Sequence, residues 1–414
     1  MNNRILTILL LPPIVMGYSK ILGQSDTVRV LFIGNSYTSV NNLPNEFVLC
    51  ANSAGFNVSA ASSAPGGYTF QQHLSNASTQ GLIQQGNWDF TILQEQSQIP
   101  SFPLSQVEVE CFPFAASLND SIEKYSPCGE TVFYQTWGRE NGDSQNCASW
   151  PPICTYEGMD SLLRMRYQTM ADTNQAIVSP VGAVRRYLRE HFPDLVLYAA
   201  DGSHPSPLGT YAAACTFTTA MFRISPDLIT YTNTFSDAEI SAVKEAINNI
   251  LFNDFLNWNI GDYDVDVQFS YTLENGVLTT NAICENCDSL VWNFGNGDIS
   301  SELNTIYEYP TPGIYSLLLT GYHCDQMDSQ YAELIVENTI TVDELQSTPW
   351  SAFVLNNNIY FSQNSVLSDI IIFDSMGNKV TSHTSNPLST MGWSTGLYFI
   401  LNKNNGDCVK IIIN

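Results

Sequence analysis

The sequence predicts an α/β layer fold in its first part and small β-sandwich modules in the remainder. Over residues ~27–258, short apolar runs alternate with longer helical stretches, the pattern of strands laid between helices. Near Gly261 the pattern changes to short alternating segments separated by turn residues, with few helix signals. A composition of 44% hydrophobic and 13% charged residues belongs to a packed chain rather than a disordered one, and 414 residues allow two or three domains.

In chain order, Met1-Asn-Asn-Arg4 and the apolar run Ile5 to Met16 have the form of a signal peptide. Gly17 or Gly23 supplies a small residue for cleavage, so residues 1–23 are expected to be removed. No later stretch approaches the ~20 apolar residues that span a bilayer. An exported chain makes its ten cysteines candidates for disulfides. Cys147 and Cys154 flank a Trp-Pro-Pro turn and can close a small loop, while Cys284, Cys287 and Cys324 cluster later; the full pairing stays open. A formal charge of -25 argues against nucleic acid or an anionic membrane surface as partner.

Within the α/β part, strands are expected at Arg29–Ile33, Asn57–Ala61, Phe90–Leu93, Thr131–Gln135 and Leu195–Tyr198. Helices are expected at Gln106–Tyr125, the Tyr156–Val178 region, Val181–His191, Gly209–Phe222 and Asp237–Leu256, the last capped by Ser236. The stretch Val30-Leu-Phe-Ile-Gly-Asn-Ser-Tyr-Thr38 reads as a buried strand, a tight turn and a helix start. Ser36 then stands at the carboxyl end of a strand, the edge where open α/β sheets bind ligands.

A serine nucleophile needs a base within hydrogen-bond reach and an acid that orients the base. Five histidines are available. His323 and His383 lie in the β modules, His191 lies in a charged helix end, and His73 has no carboxylate nearby in sequence. His204 follows the apolar Leu195–Ala200 run in Asp201-Gly-Ser-His204, where the carboxylate can fold back to the ring.

Gly34-Asn-Ser36 near the start and Asp201-x-x-His204 near the domain end resemble the first and last blocks of the SGNH (GDSL-like) hydrolases. That resemblance implies a three-layer α/β/α flavodoxin-like fold over 27–258 and ester hydrolysis, often of acetyl groups on carbohydrates. It assigns Ser36 as nucleophile, His204 as base and Asp201 as its partner, with Asn35 where the family more often has Asp. The oxyanion hole would combine the N–H groups of Ser36 and Gly67, from Gly66-Gly67-Tyr-Thr69, with a side-chain amide. The family's third-block asparagine is missing from Trp88 to Gln98, so Gln96 is preferred there, with Gln94 and Gln98 as alternatives. Asn35, Trp137 and Tyr156 are candidate substrate contacts, the two rings as platforms for a sugar.

Trp292-Asn-Phe-Gly-Asn-Gly-Asp298 and Tyr307 to Thr320 resemble a PKD domain over 264–338. Ile370 to Val380, Gly396-Leu-Tyr-Phe-Ile-Leu401 and the last strand resemble the C-terminal sorting domain of type IX secretion over 345–414, which implies that machinery as a partner. Cys284-x-x-Cys287 with His323-Cys324 has zinc-like composition, but disulfides suit an exported chain better. Asp262, Asp264 and Asp266 read as an acidic linker rather than a calcium site. No metal or cofactor is expected. The leading expectation is a secreted serine esterase acting on O-acyl groups of a carbohydrate or related ester. The competing one is a non-catalytic glycan-binding or adhesion protein built on an inactive hydrolase fold.

Overall fold

The computed structural model describes residues 27–337, 352–361, 370–383, 387–403 and 408–413. The expected signal peptide, 1–23, lies outside the described residues. The chain divides into two compact units, one ending at Val336 and one beginning at Glu337.

The first unit opens with β1 (Val28–Ile33), α1 (Ser36–Ser39), α2 (Leu43–Ser53), β2 (Val58–Ser63), α3 (Phe70–Ser75), α4 (Ala77–Ile83) and β3 (Phe90–Leu93). It continues with α5 (Leu104–Glu110), α6 (Phe112–Tyr125), β4 (Glu130–Tyr134), α7 (Tyr156–Thr173), β5 (Ile177–Ser179), α8 (Val181–His191), α9 (Pro207–Phe222) and α10 (Asp237–Ile247). The five strands form one parallel sheet in the order β2-β1-β3-β4-β5. A parallel sheet covered by helices buries its strands on both faces, which is why Val30–Ile33 of β1 is continuously apolar and all four residues of β3 are buried. The strand order reverses between β1 and β3, so the crevice at their carboxyl ends is the expected binding position. Phe32 of β1 meets Phe47 of α2 and Phe217 of α9 edge-on, each at 5.7 Å between ring centroids. The helices that follow the serine turn and the histidine loop therefore share one core.

Four expected elements differ. Leu195–Tyr198 pairs in no sheet; Tyr198 makes one isolated bridge to Pro205, and buried Leu197 and Tyr198 anchor a loop. The helix expected at Gln106–Tyr125 breaks at Cys111, because Pro113, in the first turn of the helix that starts at Phe112, cannot donate to the turn before it. The Tyr156–Val178 stretch is helical only to Thr173, and its end belongs to β5. The last helix ends at Ile247 and passes into a π-helical turn, Asn248–Phe252, while its start carries the Ser236/Glu239 capping box.

The same unit continues with β6 (Asp266–Glu274), β7 (Val277–Glu285), β8 (Ser289–Asn293), β9 (Ile299–Ser300), β10 (Ile306–Glu308), β11 (Gly313–His323) and β12 (Gln326–Val336). Two sheets, β10-β7-β6 and β12-β11-β8-β9, enclose a core built on Trp292, Phe294, Leu317 and Leu319. The Cys128–Cys324 disulfide and the Arg223–Asp264 ion pair fasten this module to the α/β layers. Cys128 precedes β4, so the attachment is at the amino-terminal edge of the sheet, opposite Ser36. Disulfides Cys147–Cys154 and Cys284–Cys287 are local, and with Cys324 also bonded the zinc-like group holds no free thiolate.

The second unit contains β13 (Ala352–Leu355), β14 (Asn358–Phe361), β15 (Ile370–Asp374), β16 (Lys379–His383), β17 (Leu388–Ser389), β18 (Gly396–Asn402) and β19 (Cys408–Ile413). They form sheets β13-β14-β17 and β16-β15-β18-β19 around Ile359, Ile372 and Ile400. Parts of the 345–414 segment expected to be a sorting domain lie outside the described residues.

Candidate active site

The site is assembled at the carboxyl ends of β1 and β3. Beyond Ile33 the chain turns at Gly34, where a Cβ would stand 2.4 Å from Thr38 Oγ1 and 2.6 Å from Gln94 Oε1. Glycine alone allows that approach. Gln94 Oε1 then accepts from the Asn35 N–H (2.9 Å) and the Thr38 hydroxyl (3.0 Å). Asn35 caps α1 through its Oδ1, which accepts from the Tyr37 N–H at 3.2 Å, and its amide donates to Tyr68 O at 3.0 Å. Ser36 is the first residue of α1, so its N–H has no partner within the helix.

The Asn35–Tyr68 bond draws the Gly66-Gly67 loop alongside the serine turn. Gly67 has φ +72°, a conformation that disfavours a side chain, and is exposed. Beneath the turn lies His73, fully buried, with Nε2 2.8 Å from Gly34 O and Nδ1 2.8 Å from Thr79 Oγ1. Burial lowers its pKa against the opposing bond to Gly34, and with both ring nitrogens engaged it supports the turn and has no access to Ser36 chemistry.

His204 reaches the serine from the other side. Its Nε2 lies 2.9 Å from Ser36 Oγ, and its Nδ1 lies 2.5 Å from Asp201 Oδ2. An ionised carboxylate can only accept, so Nδ1 carries the proton and Nε2 is left to accept from the Ser36 hydroxyl. Partial burial of Asp201 favours its neutral form. The His204 ring and the N–H groups of Ser203 and His204 outweigh that and lower its pKa to about 2. The loop is closed by Ala199 N–H to His204 O and Ser206 N–H to Leu197 O, each 2.9 Å, and Ser206 caps α9. Side-chain exposures of 33% for His204 and 50% for Asp201 leave the pair open to solvent.

The three glutamines separate by burial. Gln94 is fully buried and shapes the serine turn. Gln98 gives its amide nitrogen to Asp143 Oδ2 (2.7 Å) and Gln145 Oε1 (3.4 Å). Gln96 is partly exposed and gives one N–H to Gln98 Oε1 at 3.1 Å, which leaves its second N–H uncommitted.

Three expected substrate contacts are not presented to a substrate. Asn35 is 2% exposed and both ends of its amide build the turn. Trp137 is fully buried, stacked by Tyr37 at 4.8 Å and by the Arg185 guanidinium at 4.0 Å. Tyr156 is 5% exposed and covered by Arg189. Trp137 and Tyr156 are therefore packed in the interior instead of forming an open platform.

Glu95 was not singled out from the sequence. It is fully buried, and its carboxyl oxygens accept from the N–H of Phe70 (3.1 and 3.2 Å) and of Gln96 (2.5 Å). It thereby ties the glycine loop, through the start of α3, to the end of β3. Burial pushes its pKa to about 8 despite those bonds. The only sequence signal was a carboxylate inside an otherwise uncharged Leu-Gln-Glu-Gln phrase at a strand end.

No family model matches the sequence, and no curated protein matches it. Solved structures give weaker likenesses. A DUF4886 family protein from Bacteroides uniformis is 17% identical over 56% of this chain and 95% of its own, with a TM-score of 0.47. A protein from Slackia heliotrinireducens, proposed to be an SGNH hydrolase, is 26% identical over 47% of this chain and 98% of its own, with a TM-score of 0.39. The PKD1 domain of the Vibrio cholerae metalloprotease PrtV is 24% identical over 18% of this chain and 98% of its own, with a TM-score of 0.17. At these scores the likenesses carry no weight in assigning an activity, which falls to the geometry of the site.

Proposed function

We propose that the chain is a serine ester hydrolase of the SGNH type that removes O-acyl groups, acetyl foremost, from a carbohydrate or related ester. The observation that carries this reading is the unbroken line Asp201–His204–Ser36, with contacts of 2.5 and 2.9 Å at the carboxyl edge of the sheet. His204 Nε2 takes the Ser36 proton as Oγ attacks the acyl carbonyl, and Asp201 stabilises the imidazolium. The N–H groups of Ser36 and Gly67 and the uncommitted amide N–H of Gln96 hold the developing oxyanion. Collapse expels the alcohol with the proton from His204. Water, activated by the same ring, then releases the acyl group and restores Ser36.

The acetyl and carbohydrate preference rests on the resemblance of the Gly-Asn-Ser and Asp-x-x-His blocks. In the same reading, 27–258 is the hydrolase domain, 264–338 a PKD-like module and 345–414 an export signal recognised by type IX secretion machinery. The protein would then act outside the cell or at its surface. Hydrolysis of p-nitrophenyl acetate by the purified protein tests the chemistry, with Ser36→Ala and His204→Ala alongside. Loss of about a thousand-fold or more in kcat in both is expected. A Ser36→Ala variant as active as the wild type contradicts the proposal.

A further inference from the structure

Behind the histidine loop stands a fully buried cation without a counter-charge. Arg185 on α8 is 2% exposed and has no carboxylate partner among the described residues. Its Nη2 donates to Leu197 O, and the guanidinium also interacts with the Tyr198 hydroxyl, so its polar contacts are all to neutral groups. Its guanidinium lies 4.0 Å from the centroid of Trp137 and 4.1 Å from that of Tyr198. Taking an unpaired charge out of water costs several kcal/mol, so the site is an expensive place for arginine unless its contacts are needed there.

Those contacts converge on the loop that carries His204. Leu197 O, held by Arg185, also accepts the Ser206 N–H that closes the base of the loop. Trp137, stacked against Arg185, donates its indole N–H to Ser203 O at 3.1 Å. Tyr37, stacked on Trp137 with a 7° angle between planes, has its hydroxyl 2.7 Å from Ser203 Oγ and its ring edge-on to His204 at 5.5 Å. Tyr37 is also the residue after Ser36. One column of rings and a guanidinium therefore touches both the serine turn and the histidine loop.

We propose that Arg185 is a positioning residue that clamps Trp137 and the Leu197 carbonyl, and so fixes the Ser203–His204 segment against Ser36. The inference rests on the hydrolase reading only for its kinetic consequence. A flat, delocalised cation suits a position between two rings, whereas an ammonium has one compact charge and cannot stack in the same way.

The test uses the full chain with Arg185→Met, Arg185→Lys and Trp137→Phe. Amide hydrogen exchange reads the loop directly, without requiring catalysis. In Arg185→Met, the amides of Ala199, His204 and Ser206 are expected to exchange about ten-fold faster or more, while β1 and β3 keep their protection. With p-nitrophenyl acetate, kcat is expected to fall on the order of 100-fold with KM nearly unchanged, the signature of a misplaced base rather than lost binding. Arg185→Lys should recover part of both. Trp137→Phe keeps a ring in the column but removes the N–H to Ser203 together with part of the ring, so it gives smaller changes in the same direction and still decides the matter if Arg185→Met fails to fold. Loop exchange at the wild-type rate overturns the inference, as does a uniform loss of protection across the α/β layers. A wild-type protein inert toward the ester would contradict the hydrolase reading alone and leave the exchange result to decide Arg185.

Discussion

Among the described residues of the first unit, two histidines pair with an aspartate, and only one of them also meets a serine hydroxyl through its second ring nitrogen. In the β-sandwich that follows the α/β layers, His323 Nδ1 lies 2.8 Å from Asp288 Oδ2, close to the geometry of His204 with Asp201. Both pairs are partly open to solvent. The difference lies in what surrounds them. His204 meets Ser36 through its second nitrogen, and its loop is held by Asp201, Trp137, Tyr37 and the cap of α9. His323 ends a β-strand beside the Cys128–Cys324 disulfide, and its second nitrogen bonds to no hydroxyl among the described residues. An acid beside a histidine is common; a third group aligned on the far nitrogen is what makes the arrangement a candidate catalyst.

That contrast can be tested directly with paired substitutions. Asp201→Asn should lower kcat for p-nitrophenyl acetate by about a thousand- to ten-thousand-fold, because the amide no longer selects the tautomer that leaves Nε2 free. Asp288→Asn should change it less than about two-fold, as expected for a residue remote from the reacting atoms. Equal losses would erase the distinction drawn between the two regions.

A smaller effect concerns the support beneath the site. Glu95 has a folded pKa of about 8, raised by burial from the usual carboxylate range. Between that range and pH 8 the folded state holds a proton that the unfolded state has released, so stability falls as pH rises through this window. The cost is on the order of a few kcal/mol by pH 8, at about 1.4 kcal/mol per pH unit. Glu95→Gln should therefore flatten the decline of urea-unfolding free energy between pH 5 and pH 8. A slope that persists unchanged in the variant assigns the pH dependence to other groups.

Much of the fold was legible because its signals are local. Phe90–Leu93 and Val181–His191 form the elements expected there, and the Ser236/Glu239 cap sits where its spacing places it. Leu195–Tyr198 misled because an apolar run that anchors a loop has the same composition as a short buried strand. The meeting of Ser36, Asp201 and His204 was expected from a turn signal, a three-residue spacing and the resemblance of those blocks to SGNH hydrolases, and the three side chains do lie within hydrogen-bond reach. The roles of Trp137 and Tyr156 were not legible, since an aromatic residue near a site can serve as a platform or as packing, and only burial separates the two. Arg185 and Glu95 left still less trace. Their importance comes from having no counter-charge or no solvent, and sequence carries neither property.

The most direct measurement is intact-mass and peptide-mapping analysis after exposure to a fluorophosphonate, an agent that requires an activated serine. One adduct per chain, mapped to Ser36 and abolished in His204→Ala, is the result this account predicts. An unlabelled wild-type protein, or an adduct mapped to another residue, would contradict the assignment of Ser36 as the nucleophile.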